Sequence, residues 1–136
     1  MIRYLRERAD LATLIESGWR PNRRISLDSS VLPDGFELTV AATRFLTEYG
    51  GLTIKGRVQV DLTPMACRED HDRIAYFSTL DNRQYFPVGR IDDECATDVL
   101  VDEVGDVYLY CAPPTTEEGP WRIGGPSRAS VLRLLT

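Results

Sequence analysis

Apolar residues recur along this chain in two periods, and the points where the period changes divide it into elements. From Tyr4 to Ser17, Leu5, Ala9, Leu11, Ala12, Leu14 and Ile15 fall at helical spacing, and Gly18 stands where a left-handed C-terminal cap would end a first helix. Trp19-Arg20-Pro21-Asn22-Arg23-Arg24 then reads as a corner: Pro21 stops helical continuation and Trp19 is apolar enough to fold back onto a core. A short helix is expected from Ser26 to Leu32, broken by the turn residues Pro33-Asp34-Gly35. Thr39 is placed to cap a helix whose Ala42, Phe45, Leu46 and Tyr49 share one face, and Gly50-Gly51 ends it.

Strand signals follow. Leu52, Ile54, Val58 and Val60 predict two strands about a Lys55-Gly56 turn, with Pro64 closing the segment. Ile74, Phe77 and Leu80 predict a helix from about Glu69 to Asn82. Tyr85 to Gly89 predicts a strand that lies at an edge or begins late, because Pro87 has no N–H for a ladder. The period of two is clearest in a hairpin, Thr97–Asp102 and Val107–Cys111, closed by Asp102-Glu103-Val104-Gly105 as a type I turn with a left-handed glycine. Pro113 to Pro120 reads as loop, and Pro126-Ser127 opens a terminal helix carrying Ala129, Val131, Leu132, Leu134 and Leu135. The sum is an α+β chain, expected as a single domain over residues 1–136, with helices packed on one twisted, mostly antiparallel sheet.

Composition is ordinary for a folded chain, with 43% hydrophobic and 27% charged residues, so it changes little. Charge distribution changes more. Net charge is −5, and from Ile91 to Trp121 there is no Lys or Arg while Asp92, Asp93, Glu94, Asp98, Asp102, Glu103, Asp106, Glu117 and Glu118 all occur. Arg3, Arg6, Arg8, Arg20, Arg23 and Arg24 crowd the opposite end of the chain. An acidic surface of that density repels phosphate backbones and steers basic protein surfaces, which argues against nucleic acid as a partner of that face; the plain alternative is a set of charged loops that keep a hairpin solvated. No apolar run reaches the length of a membrane span and the N-terminus interleaves charges, so no membrane partner and a cytoplasmic location are expected. Cys67, Cys95 and Cys111, odd in number and widely spaced, fit neither a disulfide framework nor a zinc site and read as reduced thiols.

Catalytic chemistry finds little support. His71 is the only histidine, set in the charged stretch Arg68-Glu69-Asp70-His71-Asp72-Arg73, where it reads as a surface or helix-start residue; Cys67 nearby lacks an orienting third group. Asp92, Asp93, Glu94 and Asp98 miss the spacing of a calcium loop, and Gly124-Gly125 lacks the Lys and Ser/Thr of a P-loop. No catalytic residue, cofactor or metal site is assigned.

Four segments in order carry a resemblance: Gly18 to Arg24, Ala42 to Leu52 with its Phe45-Leu46 and Gly50-Gly51, Phe86-Pro87-Val88-Gly89, and Val101 to Tyr108. Over about residues 10 to 135 the chain resembles the third family of the SUKH superfamily of bacterial toxin-immunity proteins. The resemblance implies an α+β fold and a non-enzymatic inhibitor that binds a cognate polymorphic toxin, such as a basic nuclease domain. The expected interface is the acidic hairpin region: Asp92, Asp93, Glu94, Asp98, Asp102, Glu103 and Asp106 for steering, with Tyr108 and Tyr110 as anchors. Trp19, Phe45 and Tyr49 are assigned to the core and Arg24 to a structural ion pair. A protein-interaction or regulatory module of the same fold stays open as the alternative.

Overall fold

The computed structural model describes residues 2–28, 30, 32–111 and 119–135, with side chains described from residue 8 onward except at 65–67. The elements run α1 (Ile2–Glu16), α2 (Val40–Tyr49), β1 (Thr53–Lys55), β2 (Gln59–Asp61), a 3-10 segment (Pro64–Asp70), α3 (His71–Asp81), β3 (Phe86–Asp92), β4 (Thr97–Val101), β5 (Val107–Tyr110), β6 (Trp121–Gly124) and α4 (Arg128–Arg133). The six strands form one sheet in sequence order, and every pairing is antiparallel. Connections of that length between neighbouring antiparallel strands need no crossover.

Helices cover both faces of this sheet. On one side Leu14, Ala42, Phe45, Leu46 and Val131 pack on Ile54, Val60, Val88, Val99 and Val107. On the other, Ile74 and Phe77 of α3 pack on Leu100, Tyr108 and Tyr110, with Tyr85 beside them. All five residues of β4 are therefore buried, and a strand that read as one-sided is the middle layer of three.

Local chemistry explains the boundaries. Thr39 Oγ1 accepts from the Ala42 N–H at 3.1 Å, capping α2, whose buried face is the expected Ala42, Phe45, Leu46 and Tyr49. Both glycines of the double pair are required: a Cβ at Gly50 would stand 2.4 Å from the Leu46 carbonyl oxygen, and Gly51 turns the chain into β1 with φ +80°. The helix expected at 26–32 is absent among the described residues up to Asp28. Asp28 accepts from both the N–H and the hydroxyl of Ser30, a local turn that competes with helical bonding; Ser29 and Val31 lie outside the described residues. Leu80, expected on the inner face of α3, is 62% exposed, while Ile74 and Phe77 are buried.

Pro87 sits inside β3, which is an interior strand rather than an edge. It is tolerated because β2 pairs only with Arg90–Asp92, and the β3–β4 register shifts between Pro87 and Gly89, so the missing N–H falls at an irregularity. Strand β6 was not anticipated; its residues are largely exposed and show no alternation, and pairing with β5 makes it a strand. No helix among the described residues is long and apolar enough to cross a membrane.

Candidate functional site

The acidic hairpin region divides into acids that build the fold and acids that face solvent. Asp102 belongs to the first kind. It is fully buried, its Oδ1 accepts from the N–H groups of Val104, Gly105 and Asp106 at 3.0 Å each, and its Oδ2 accepts from the Tyr108 hydroxyl at 2.8 Å. Three N–H donors on one carboxylate oxygen make the β4–β5 turn a preorganised nest around a negative charge. Burial, and then the Asp102 carboxylate, push the Tyr108 hydroxyl up to about 12.

Asp98 is fully buried as well. Its Oδ1 accepts from Arg90 Nε at 3.1 Å, while Arg90 Nη2 reaches Asp70 Oδ2 at 3.2 Å, so one guanidinium is shared by two carboxylates. Asp98 Oδ2 finds no donor among the described residues. Burial, followed by the neighbouring Asp70, pushes the Asp98 carboxyl up to about 8, against the pull of Arg90. A proton on Asp98 is the donor the arrangement lacks.

As folded, four of the nine expected interface residues have no surface to present. Asp98 and Asp102 are structural, and Tyr108 and Tyr110 are buried under α3, where Tyr108 meets Tyr85 edge-on at 5.0 Å and Tyr110 meets Phe77 at 5.5 Å. This corrects the assignment of the tyrosines as anchors, and its cause is the second helical layer. Glu103 lies 3.7 Å from Arg83 and Asp106 lies 3.0 Å from Arg122, so each has a cationic neighbour. Asp92, the last residue of β3, and Asp93 and Glu94 of the β3–β4 loop are exposed. Asp93 shapes that loop by accepting from the Thr97 N–H at 3.0 Å and the Thr97 hydroxyl at 2.9 Å. The two acidic turns do not form one patch: they lie at opposite ends of β4, about 14 Å apart at roughly 3.4 Å per residue.

The hairpin register also overturns the expectation of three reduced thiols. Asp98 faces Tyr110, which brings Cys95 and Cys111 to the same end of the sheet with Cα atoms 5.8 Å apart, and the two form a disulfide. It fastens the Asp92–Glu94 loop to the end of β5. Cys67 has its side chain outside the described set. His71 is the first residue of α3, partly buried, packed edge-on to Phe36 at 5.3 Å, with Nε2 lacking a partner among the described residues; burial lowers its pKa. It is a helix-start residue as read, held inside the surface.

Two of the segments that carry the family resemblance clasp each other. Trp19 Nε1 donates to Glu48 at 3.1 Å, and Arg23, not Arg24, is the structural arginine, donating to the carbonyls of Glu48 and Gly50. Arg24 has no ion pair among the described residues. A groove that no contiguous motif announces lies beside α2, where Trp19, Phe45 and Tyr49 meet Val104 and Val107 of the hairpin. Its one local signal is Val104, an apolar residue at the tip of a charged turn, 59% exposed.

Fold and surface together define an α+β protein with a helix-covered antiparallel sheet, in which Asp102 holds the β4–β5 turn, Asp98 holds Arg90, and Asp92, Asp93 and Glu94 are exposed beyond the other end of β4. The chain belongs to the SUKH-3 immunity protein family, whose model matches residues 7–136. No curated protein and no solved structure gives a significant match. Membership of an immunity family implies a toxin as partner.

Proposed function

We propose that this chain neutralises a cognate nuclease toxin by binding, without catalysis, and that the β3–β4 loop supplies the contact that steers it onto the toxin's phosphate-binding cleft. The observation that carries this reading is the state of Asp92 and Glu94. Both are exposed, neither has an ion pair among the described residues, and the loop bearing them is shaped by Asp93 and tied at Cys95. Unpaired carboxylates on a fixed loop keep their full field for a partner, and ordering them on binding costs little entropy. Lys55 and Arg57, on the β1–β2 turn at the same end of the sheet, bound this surface on one side, so contact falls toward β4 and β5. Glu103 and Asp106 act at longer range from the opposite end.

The test is co-expression with the toxin domain encoded beside it, scoring survival and co-purification at low and high salt. Rescue with a complex that weakens as salt rises supports the reading, and the double variant Asp92→Lys with Glu94→Lys then loses rescue. Survival without any complex, or no rescue at all, overturns it. Action in the cytoplasm is part of the proposal, and the Cys95–Cys111 pair reads it out. Alkylation during lysis labels three cysteines in a reducing compartment and one in an oxidising compartment.

A further inference from the structure

A groove lies beside α2, at the other end of β4 from the Asp92–Glu94 loop. Two adjoining hollows, of about 490 and 700 Å³, share Trp19, Arg44, Glu48 and Arg128 and form one groove between α2, the corner after α1, the β4–β5 turn and the start of α4. The floor of the smaller hollow is apolar, made by the buried Phe45, Tyr49, Val101 and Val107. Its apolar character runs out onto the surface through Val104, and at the start of α2 Val40 is 70% exposed beside the lining residue Ala41. A hollow of this size accepts an aromatic or branched aliphatic side chain.

The rim is cationic in a chain whose net charge is −5. Arg24 and Arg44 line the groove and have no ion pair among the described residues, and the Arg128 guanidinium lies over the Trp19 ring at 5.6 Å. The one carboxylate in the groove, Glu48, is already engaged: it accepts from Trp19 Nε1 at 3.1 Å, and burial followed by that carboxylate raises the pKa of the Tyr49 hydroxyl. Guanidiniums with unused donors around an apolar hollow complement carboxylates flanking an apolar side chain. A polyanion such as nucleic acid would use the rim and leave the hollow empty, against the field of the whole chain.

We infer that this groove docks an acidic segment of a partner protein, with an aromatic or aliphatic side chain seated on Phe45, Tyr49 and Val107 and neighbouring carboxylates on Arg24, Arg44 and Arg128. The inference stands apart from the toxin reading, because its chemistry is opposite in sign to that of the β3–β4 loop and its experiment needs no toxin.

Trp19 lines the groove and Trp121, the second tryptophan, is exposed on β6, so a Trp121→Phe protein reports groove occupancy through Trp19 fluorescence. That protein is titrated at low salt with three synthetic seven-residue peptides: one with a central Phe between pairs of Asp and Glu, one with Lys in place of the acids, and one with Ala in place of Phe. The expected result is a saturable change with the acidic Phe peptide, at least roughly tenfold weaker for each control, and a loss of about tenfold when Arg24→Glu and Arg44→Glu are introduced together. Both arginines are exposed and neither has an ion pair or a side-chain hydrogen bond among the described residues, and a far-UV spectrum checks folding of the double variant. The inference is overturned if no saturable change occurs, if the Lys peptide binds equally, or if charge reversal leaves binding unchanged. Phenylacetate matching the acidic peptide would also overturn it and make the groove a site for small organic anions.

Discussion

Replacing Asp98 by Asn should make the protein more stable in alkaline buffer and leave it almost unchanged in mild acid. Asp98 is fully buried, shares Arg90 with Asp70, and carries an oxygen with no donor among the described residues. Its carboxyl is pushed from its ordinary 3.8 up to about 8. A folded-state pKa above the unfolded value means that between roughly pH 4 and pH 8 the native state holds a proton that the unfolded state has released. Stability therefore falls as pH rises through that window, with a limiting slope of about 1.4 kcal/mol per pH unit. The whole interval of about 4 units sets a ceiling near 6 kcal/mol, and a shift of Arg90 toward Asp98 as it ionises lowers the realised loss to about 2–3 kcal/mol. Asn cannot ionise, keeps the acceptor for Arg90 Nε, and offers Asp70 an N–H where the wild type needs a proton. Urea unfolding followed by far-UV circular dichroism from pH 5 to pH 9 at fixed ionic strength gives the curves. The two proteins should agree within about 1 kcal/mol at pH 5, and the variant should lead by about 2 kcal/mol or more at pH 8.5. His71 is common to both, so the difference curve reports the Asp98–Arg90–Asp70 cluster as a unit. Parallel curves, or a wild type that gains on the variant as pH rises, would refute the reasoning.

Tyr108→Phe removes the buried hydroxyl bonded to Asp102 and should cost about 1.5–3 kcal/mol by the same unfolding measurement, because a buried carboxylate oxygen loses a donor. Gly89→Ala should leave little folded protein in a solubility and melting assay, since its Cβ would stand 2.4 Å from the Asp61 carbonyl oxygen and 2.9 Å from Leu62 Cα, both backbone atoms. Reducing the Cys95–Cys111 bond closes off a constraint spanning 16 residues, so a reductant should lower stability by about 3 kcal/mol, and Cys95→Ser with Cys111→Ser should lose the response to reductant altogether. Asp92→Lys with Glu94→Lys should lower the association rate with the toxin at least roughly tenfold at low salt and leave melting unchanged, whereas Asp98→Asn should leave association unchanged; equal effects of the two changes on binding would remove the loop from the interface.

Helices and the hairpin were legible because their period is carried by contiguous residues: Ala42, Phe45, Leu46 and Tyr49 need only their own helix to declare a face. The layering was not legible, and β4 shows why. Its polar positions, Asp98 and then Asp102 just beyond the strand, imitate a solvent face, yet each is satisfied inside the protein by Arg90 or by Tyr108 and three turn N–H groups. Alternation reports two unlike faces, and a paired interior carboxylate looks the same in a one-dimensional pattern as a wet one. The same limit explains the tyrosines, which read as exposed anchors and pack under α3. The disulfide was nearer to reach: the hairpin register, once set by its turn, places Cys95 and Cys111 at one end of the sheet, although counting cysteines alone pointed the other way. Strand β6 has no signal of its own, because β5 supplies its pairing.

Separating the acids by what holds them changes what the charge of the chain can do. The seven carboxylates in the expected interface fall into four energetic situations: Asp98 and Asp102 are buried and bonded, Glu103 and Asp106 are paired with arginines on the surface, Asp93 folds its own loop, and Asp92 and Glu94 stand exposed without an ion pair among the described residues. Substituting a buried carboxylate alters the fold before it alters a partner, whereas Asp92 and Glu94 can change sign with little effect on packing. The groove beside α2 has the same property, since Arg24 and Arg44 extend from a packed frame of Trp19, Glu48 and Tyr49 that other bonds hold. Surfaces of opposite charge, each mounted on a frame that does not depend on them, are where the two proposed contacts can vary independently while the sheet and its two helical layers stay the same.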